Sequence, residues 1–222
     1  MFSFEAWWQI LTTKLPVFFQ GVGTTVELAL YTAIFGTLLG IVVALLRMSR
    51  VKVLKVLAGA YIEFLRGTPL LVQVLIVFYG LPQLGIKLPR MTAGTVALVI
   101  NSAAYMAEIV RSGIQAIDGG QTEASRSLGM NGAQTMIYII LPQAIKNILP
   151  AIGNEFVSII KESSILYTIG IYELTYQANK LASTNFRYLE TLTISALIYF
   201  VLTFTASRLL GMLERRMRRG DR

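Results

Sequence analysis

The chain has 222 residues, of which 55% are hydrophobic and 14% charged, with a mean hydropathy of +0.61 and a formal net charge of +8. It contains no cysteine and no histidine. Disulfides, thiolate or imidazole metal sites, histidine-based catalytic triads and histidine proton relays are therefore excluded, and we assign no metal site. No Gly-Lys pair occurs, so a Walker-type phosphate-binding loop is also absent. The composition therefore predicts a membrane protein from which most enzyme chemistry is excluded, and any ATP that drives it must bind to another chain.

The first 20 residues differ from the rest by their aromatic pattern. Phe4, Trp7, Trp8 and Leu11 recur at helical spacing, and the basic region that opens a cleaved signal peptide is missing. Aromatic rings favour the boundary between membrane and water. The pattern predicts a short interfacial helix over residues 1–20, lying at the outer surface.

Long uncharged segments follow, each close to the 17–25 residues that cross a bilayer. They cover residues 28–46, 67–86, 91–107 and 191–207. Gly67-Thr68-Pro69 is predicted to kink the helix at the second of these segments. A fifth segment, over residues 145–161, is interrupted by Glu155 and is weaker by hydropathy. We therefore expect about five transmembrane helices in one membrane domain over residues 1–222.

Basic residues set the orientation of these spans. With five spans and an outer N-terminus, the inner loops and the tail hold 13 of the 20 basic residues. A four-span arrangement would place the arginine-rich tail, residues 208–222, on the same side as the N-terminus. The sequence predicts an outer N-terminus and a cytoplasmic C-terminus, with the tail beside anionic lipid rather than nucleic acid.

Residues 118–142 form a polar insert between two spans. Thr122 can cap a helix over residues 123–128, and Gly129 suits the left-handed position that ends a helix. Asn131 can cap a second helix, and Pro142 lies where we expect the chain to turn back toward lipid. This cytoplasmic insert is interpreted as a compact docking element.

The spacing of this insert resembles the cytoplasmic EAA loop of bacterial ABC-importer permeases. That loop has Glu-Ala-Ala, three residues, Gly, nine residues and Ile-x-Leu-Pro; this chain matches at 123–125, Gly129 and 139–142, with Ser125 as the departure. The resemblance implies a loop that docks an ATPase subunit. The predicted docking residues are Glu123, Ala124, Ser125, Leu128, Gly129 and Pro142.

Several polar residues lie within or near the predicted spans, where an unpaired charge costs at least ~2.5–3.5 kcal/mol. Two acid–base pairs have i, i+3 spacing and are predicted to be structural ion pairs. They are Glu63 with Arg66, and Glu108 with Arg111. Asn101 and Tyr105 share a face with Glu108, and either interhelical hydrogen bonding or lining of a translocation path fits them.

The segment 154–164 is the most polar part of any span. Glu155, Ser158 and Glu162 share one helix face, and Glu162 lies ~24 Å along a helix that starts near residue 146. The adjacent Lys161 points about 100° away from it, so Glu162 is a candidate ligand for a cationic substrate. The predicted substrate-path residues are Asn101, Tyr105, Glu155, Ser158, Glu162 and Ser163.

Further segments are similar to the polar amino acid permeases of the ABC superfamily, the histidine, arginine and glutamine type. They are residues 61–73, 101–111, 141–145 and 161–164. The resemblance covers roughly residues 20–215 and implies the type I ABC importer permease fold.

For this family we expect a multi-pass protein of the bacterial cytoplasmic (inner) membrane, paired with an identical or homologous permease. The expected partners are an ATP-binding cassette ATPase dimer, which binds ATP and Mg²⁺, and an extracytoplasmic solute-binding protein. Together with Glu162, the resemblance predicts ATP-driven import of a polar, cationic amino acid such as arginine, lysine or histidine. The alternative is an ion- or proton-coupled secondary transporter that uses Glu108, Glu155 or Glu162, against which the short chain and the docking insert argue.

Overall fold

The structure is a computed structural model that describes residues 2–218; residues 219–222 of the predicted basic tail lie outside the described part. The described residues are mostly helical and contain no strand. Its α-helices are α1 (Phe4–Met48), α2 (Lys52–Gly67), α3 (Leu70–Leu75), α4 (Leu81–Gln83), α5 (Arg90–Gln115), α6 (Gly119–Ser127), α7 (Gly132–Gln134), α8 (Leu141–Glu162), α9 (Leu174–Asn185) and α10 (Tyr188–Arg218). Two π-helical stretches, Ile76–Gly80 and Thr135–Ile140, and one 3₁₀-helix, Ser163–Ile169, join some of them.

Four helical segments among the described residues are long and apolar enough to cross a membrane. They are Phe4–Met48, Arg90–Gln115, Gly132–Ile169 and Tyr188–Arg216. A fifth crossing is possible if α2 and the segment Leu70–Gln83 count as one span, although they meet at an angle of 108°. The prediction of an all-α protein with about five transmembrane helices is confirmed.

The structure breaks the second predicted span and leaves the segment around Glu155 continuous. The helix stops at Thr68, whose backbone is extended (φ −116°, ψ 148°), so the kink predicted at Gly67-Thr68-Pro69 is confirmed as a full break. A residue before proline is pushed toward this extended conformation, and Pro69 follows. The segment that contains Glu155, which hydropathy scores lower, belongs instead to the continuous helical run Gly132–Ile169.

Helix α1 is one uninterrupted helix of 45 residues. At 1.5 Å per residue it is ~68 Å long, about twice the thickness of the hydrocarbon core. Ser3 caps it by accepting a hydrogen bond from the Ala6 amide at 3.3 Å. Residues 1–20 therefore do not form a separate short helix, which corrects the predicted boundary; their location at the outer membrane surface stays a prediction.

The centre of the fold is a close contact between α1 and α5, which we call the glycine seam (Gly36, Gly40, Ser102, Ala103 and Met106). A Cβ atom on Gly40 would lie 2.5 Å from the Met106 Cβ, and one on Gly36 would lie 2.9 Å from the Ser102 Oγ. The two backbones approach this closely because glycine has no side chain. Since Gly36 meets Ser102 and Gly40 meets Met106, the two helices run in the same direction.

The remaining long helices surround this pair. Helix α8 contacts α5 and α10, and α9 packs against the first half of α1 and against α10. Phe18, Leu174 and Ile194 are buried where α1, α9 and α10 meet. The fold thereby holds the polar face of α8 beside α5.

Both π-helical stretches lie directly before a Leu-Pro-Gln sequence. Ile76–Gly80 precedes Pro82, and Thr135–Ile140 precedes Pro142. Proline lacks an amide hydrogen and its ring collides with the carbonyl four residues earlier, whereas a π turn is wider. The helix consequently continues through Pro142 into α8, which corrects the prediction that the chain turns there.

Candidate docking knob and transmembrane polar sites

The predicted insert folds into a compact unit over residues 118–134, which we call the docking knob. Helix α6 begins at Gly119, because the Asp118 carboxylate caps it by accepting a hydrogen bond from the Gly120 amide at 2.7 Å. The predicted cap, Thr122, therefore lies inside the helix. Aspartate is among the preferred capping residues, and it comes four residues earlier in the chain.

Gly129 ends α6 in the left-handed conformation that its position in the sequence predicts, with φ +85°. The Met130 amide donates to the Ser125 carbonyl at 3.1 Å, and the Gly129 amide donates to the Arg126 carbonyl at 3.0 Å. These two bonds form a Schellman motif, which closes the end of a helix. Asn131 then starts the next helix through a reciprocal capping box with Gln134, as predicted for that asparagine.

The predicted docking residues divide into an exposed and a buried group. Glu123, Ala124 and Gly129 are exposed, and Leu128 is 85% exposed. Ser125 is only 3% exposed, and its hydroxyl lies 3.0 Å from the Thr135 Oγ1 and 2.9 Å from the Thr122 carbonyl. Ser125 thus fastens α6 to the following helix, so its side chain does not lie on the surface that a partner could touch.

The structure pairs Glu63 with a different arginine from the one that its spacing predicts. Its carboxylate lies 3.6 Å from the Arg47 guanidinium at the end of α1. Gly59 leaves the room through which the Arg47 side chain crosses α2. Arg66 turns the other way and lies over the Tyr105 ring, 5.3 Å from its centre. The predicted Glu63–Arg66 pair is therefore replaced by an Arg47–Glu63 pair and a cation–π contact.

Glu108 and Arg111 do form the i, i+3 pair. The Arg111 Nε donates to the Glu108 Oε2 at 2.9 Å, and a second guanidinium nitrogen contacts Oε1. Arg111 also donates to Gln115, one turn further along α5. The pair is bidentate and half-buried, so both charges are satisfied within α5 itself.

Asn101 lies in the core rather than on an open path. It is 3% exposed, and its amide nitrogen donates to the Gln73 Oε1 at 2.9 Å. The Gln73 amide in turn donates to the Leu65 carbonyl at 2.8 Å and to the Thr68 Oγ1 at 2.9 Å. This network, which we call the polar joint (Leu65, Thr68, Gln73 and Asn101), ties the break between α2 and α3 to α5. Of the two interpretations of Asn101, the geometry favours interhelical hydrogen bonding.

Ser163 is likewise removed from the predicted path. Its side chain is fully buried, and its hydroxyl donates to the Ile160 carbonyl at 2.8 Å. It is the first residue of the 3₁₀-helix that continues α8. The Ser163 hydroxyl therefore stabilises the transition from α-helix to 3₁₀-helix and is not available to a substrate.

The other predicted path residues remain available to a ligand. Glu155, Ser158 and Glu162 are partly exposed on one face of α8, and Tyr105 is partly exposed on α5. The Ser102 hydroxyl lies 3.4 Å from the Glu155 Oε1. Within the part of the chain that the structure describes, neither α8 carboxylate belongs to an ion pair. This face can therefore accept a cationic group.

One buried carboxylate is absent from the sequence predictions. Glu173 caps α9 by accepting bonds from the Thr175 and Tyr176 amides at 2.8 and 2.7 Å, and it accepts a third from the Tyr199 hydroxyl at 2.7 Å. Burial raises the pKa of the Glu173 carboxyl to about 7. Glutamate is not a typical capping residue, so no local signal in the sequence marks this link between α9 and α10.

Comparisons with known proteins agree with this architecture. Residues 36–219 match the family described as "Binding-protein-dependent transport system inner membrane component". The chain is 40% identical, over 213 residues and 95% of both chains, to a probable amino-acid permease of Bacillus subtilis. It is also 40% identical to an arginine transport system permease of that organism, over 94% of this chain and 95% of the relative, and to a probable glutamine ABC transporter permease, over 94% and 96%.

Two solved structures show the same fold. An amino acid ABC transporter solved with histidines is 50% identical, with a TM-score of 0.91 over 97% of this chain and 99% of the other. An inward-facing MetNI methionine ABC transporter is 17% identical, with a TM-score of 0.75 over 90% and 96%, and supports the fold alone. Family membership decides against the secondary transporter and against any enzymatic activity of this chain. The chain belongs to the binding-protein-dependent inner membrane permeases and is the permease subunit of an amino acid ABC importer.

Proposed function

We propose that this permease carries a cationic amino acid and that the docking knob binds the ATPase subunit. The observation that carries the choice of cargo is the polar face of α8, where Glu155 and Glu162 lie on one side and form no ion pair among the described residues. Unpaired carboxylates within a membrane helix are costly unless a cation or water satisfies them. A guanidinium or ammonium side chain supplies that cation.

The relatives do not decide which amino acid is carried, so the choice of cargo depends on the polar face of α8. The arginine and the probable glutamine permease are equally similar to this chain, at 40% identity each. The solved transporter at 50% identity was determined with histidines, which supports a basic cargo. Glutamine carries no charge that two carboxylates could neutralise.

The proposed assembly follows the family. Two permeases, this one and an identical or homologous copy, pair in the cytoplasmic (inner) membrane with the N-terminus outside and the C-terminus inside. A solute-binding protein delivers the amino acid from the outer side, and an ATPase dimer, which binds ATP and Mg²⁺, contacts the docking knob of each permease. Closure of the ATPases draws the two knobs together and opens the permease outward.

The cargo is tested with Glu162→Gln and Glu155→Gln in proteoliposomes that contain the whole transporter. Each substitution keeps the side-chain volume and removes the charge, so arginine uptake should fall at least about tenfold while glutamine uptake changes little. Glu5→Gln, at an exposed glutamate near the N-terminus, is the matched control. Equal losses for arginine and glutamine, or no loss for either, would refute the proposed cationic cargo.

Docking is tested with Glu123→Lys and Gly129→Val. Charge reversal removes a complementary contact, and a β-branched residue at a φ of +85° is strained, so both variants should lose copurifying ATPase. Gly129→Asn is the control, because asparagine tolerates the left-handed conformation. Full recovery of the ATPase with both test variants would reject the docking role of the knob.

A further inference from the structure

A cavity of about 410 Å³ opens between the first half of α1, the start of α5 and the turn after the 3₁₀-helix. This volume lies in the range typical of sites for small ligands. Its lining consists of Thr24, Glu27, Arg90, Met91, Gly170, Ile171 and Tyr172. It thus contains one carboxylate and one guanidinium, and neither belongs to the α8 face or to the docking knob.

The packing register places the two charges at the same height in the membrane. In the glycine seam Gly36 meets Ser102 and Gly40 meets Met106, so α1 and α5 are offset by 66 residues. Glu27 is therefore level with residue 93, within one helical turn of Arg90. Each charge also directly precedes an uncharged run, 28–46 or 91–107. We therefore assign both charges to the outer edge of the membrane in the proposed orientation.

Arg90 is held in place with most of its donors unused. Its Nη1 donates to the Gly170 carbonyl at 3.1 Å. Gly170 has a φ of +75°, and a Cβ atom there would lie 3.0 Å from the Arg90 Nη1. The glycine therefore both makes the turn and leaves room for the guanidinium. The described residues offer the remaining N–H groups of Arg90 no acceptor.

Glu27 is exposed to this cavity without a partner. Among the described residues it accepts no hydrogen bond and belongs to no ion pair, and it does not pair with Arg90 across the cavity. A charge kept at the edge of the hydrocarbon without a protein partner is costly unless water or a ligand satisfies it. The cavity thus presents one unmatched negative group and one largely unmatched positive group in its lining.

We propose that this cavity binds the zwitterionic head group shared by α-amino acids, with the α-ammonium on Glu27 and the α-carboxylate on Arg90. The proposal rests on the function proposed above, since it assumes an amino acid cargo arriving from the outer side. It differs in what is recognised: the cavity contacts the part that all α-amino acids share, whereas the α8 carboxylates contact the side chain. Tyr172 and Met91 complete the lining beside these two charges.

Equilibrium binding to the purified permease–ATPase complex, without the binding protein, tests this site. The probes are arginine, glutamine, agmatine, which lacks the α-carboxylate, and 5-guanidinopentanoic acid, which lacks the α-amine. Glu27→Gln should weaken arginine binding about tenfold or more and leave 5-guanidinopentanoic acid unchanged. Arg90→Gln should do the same for arginine and leave agmatine unchanged. If a substitution weakens arginine binding but not the binding of the analogue that lacks one group, the substituted residue contacts that group.

The controls are Lys87→Gln and Glu5→Gln, which remove exposed charges outside the cavity. Every variant complex should elute in size-exclusion chromatography as the wild type does, which shows that it folds and assembles. Absence of amino acid binding to the wild-type complex, or equal losses with all probes, would overturn the proposal. Loss of binding-protein capture with unchanged amino acid binding would also overturn it and would make the cavity a protein-docking surface.

The experiment distinguishes failure of the cationic-cargo proposal from failure of the head-group site. Glutamine has the same head group as arginine, so Glu27→Gln and Arg90→Gln should weaken both amino acids by the same factor. If the cationic cargo is wrong, arginine loses its advantage over glutamine while these head-group effects persist. If the head-group site is wrong, the preference for arginine persists and the effects at Glu27 and Arg90 vanish.

Discussion

The two faces of α5 hold their neighbouring helices by different means. At the glycine seam, α1 approaches so closely that a methyl group would not fit at Gly40. At the polar joint, amide side chains and backbone carbonyls bridge a broken helix. Asn101 belongs to the polar joint and the adjacent Ser102 to the glycine seam, because successive residues on a helix point about 100° apart.

The glycine seam and the polar joint are therefore sensitive to different kinds of substitution. The seam depends on volume, and close packing tolerates little change of shape. The joint depends on satisfied hydrogen bonds, which directional side chains can exchange as helices shift. A substitution at the seam therefore costs packing, whereas a substitution at the joint costs a hydrogen bond.

The largest expected effect comes from filling the seam. Gly40→Ala places a Cβ 2.5 Å from the Met106 Cβ and 3.0 Å from the Ala103 carbonyl oxygen, so backbone must move. Because backbone rather than the end of a flexible side chain must give way, the cost should exceed the roughly 1–3 kcal/mol typical of overpacking, well above the gain of about 0.5–1 kcal/mol that alanine brings to a helix interior. Thermal unfolding in detergent should show a clear loss of stability.

Gly23→Ala is the matched control for this substitution, because it lies on the same helix and a Cβ there meets nothing within 4 Å. Alanine at that position should keep or raise the unfolding temperature. If the two substitutions shift the unfolding temperature alike, the seam is not limited by volume and the contrast between the two faces of α5 collapses.

An intermediate effect is expected at the polar joint. Asn101→Leu leaves the Gln73 carbonyl oxygen without its donor, and an unsatisfied buried polar group costs about 1–3 kcal/mol. Adding Gln73→Leu removes the orphaned oxygen, so the double variant should lose less stability than the sum of the single variants. Chemical denaturation of all three measures this coupling; strict additivity would show that Asn101 and Gln73 act independently.

The smallest effect is expected from the pair at the end of α1. Glu63→Gln removes the charge that pairs with Arg47. The Glu63 side chain is 77% exposed. Exposed ion pairs contribute roughly 0.2–1 kcal/mol, and less at high salt. Stability measured at low and high salt should differ slightly for the wild type and not for the variant. A loss as large as that of Asn101→Leu would mean that charge, rather than the buried amides, holds α2 in place.

The features that sequence predicts well are those made by nearby residues. Gly129 and Asn131 shape the docking knob through bonds that reach at most five residues along the chain. The Glu108–Arg111 pair likewise closes within one turn. Backbone geometry alone decides whether such partners meet, so spacing is sufficient to predict them.

The features that sequence misses depend on residues far apart in the chain. Glu63 finds Arg47 instead of Arg66 because α1 and α2 pack side by side, and Asn101 finds Gln73 because α3 returns toward α5. The continuity through Pro142 depends on a π turn, and a proline in the sequence does not distinguish such a turn from the end of a helix. The cavity between Glu27 and Arg90 likewise requires the offset of two helices, which no single segment encodes.

The unbroken segment Gly132–Ile169 connects the docking knob to the far side of the membrane domain. Its 38 residues span ~57 Å at 1.5 Å each, from the docking knob past Glu155 and Glu162 to the turn at Gly170. A rod of that length, tilted by about 10° around one end, carries the other end ~10 Å sideways. Under the proposed docking of the ATPase at the knob, this segment would act as a lever arm, because a modest rotation at the knob would displace its far end by about the width of an amino acid.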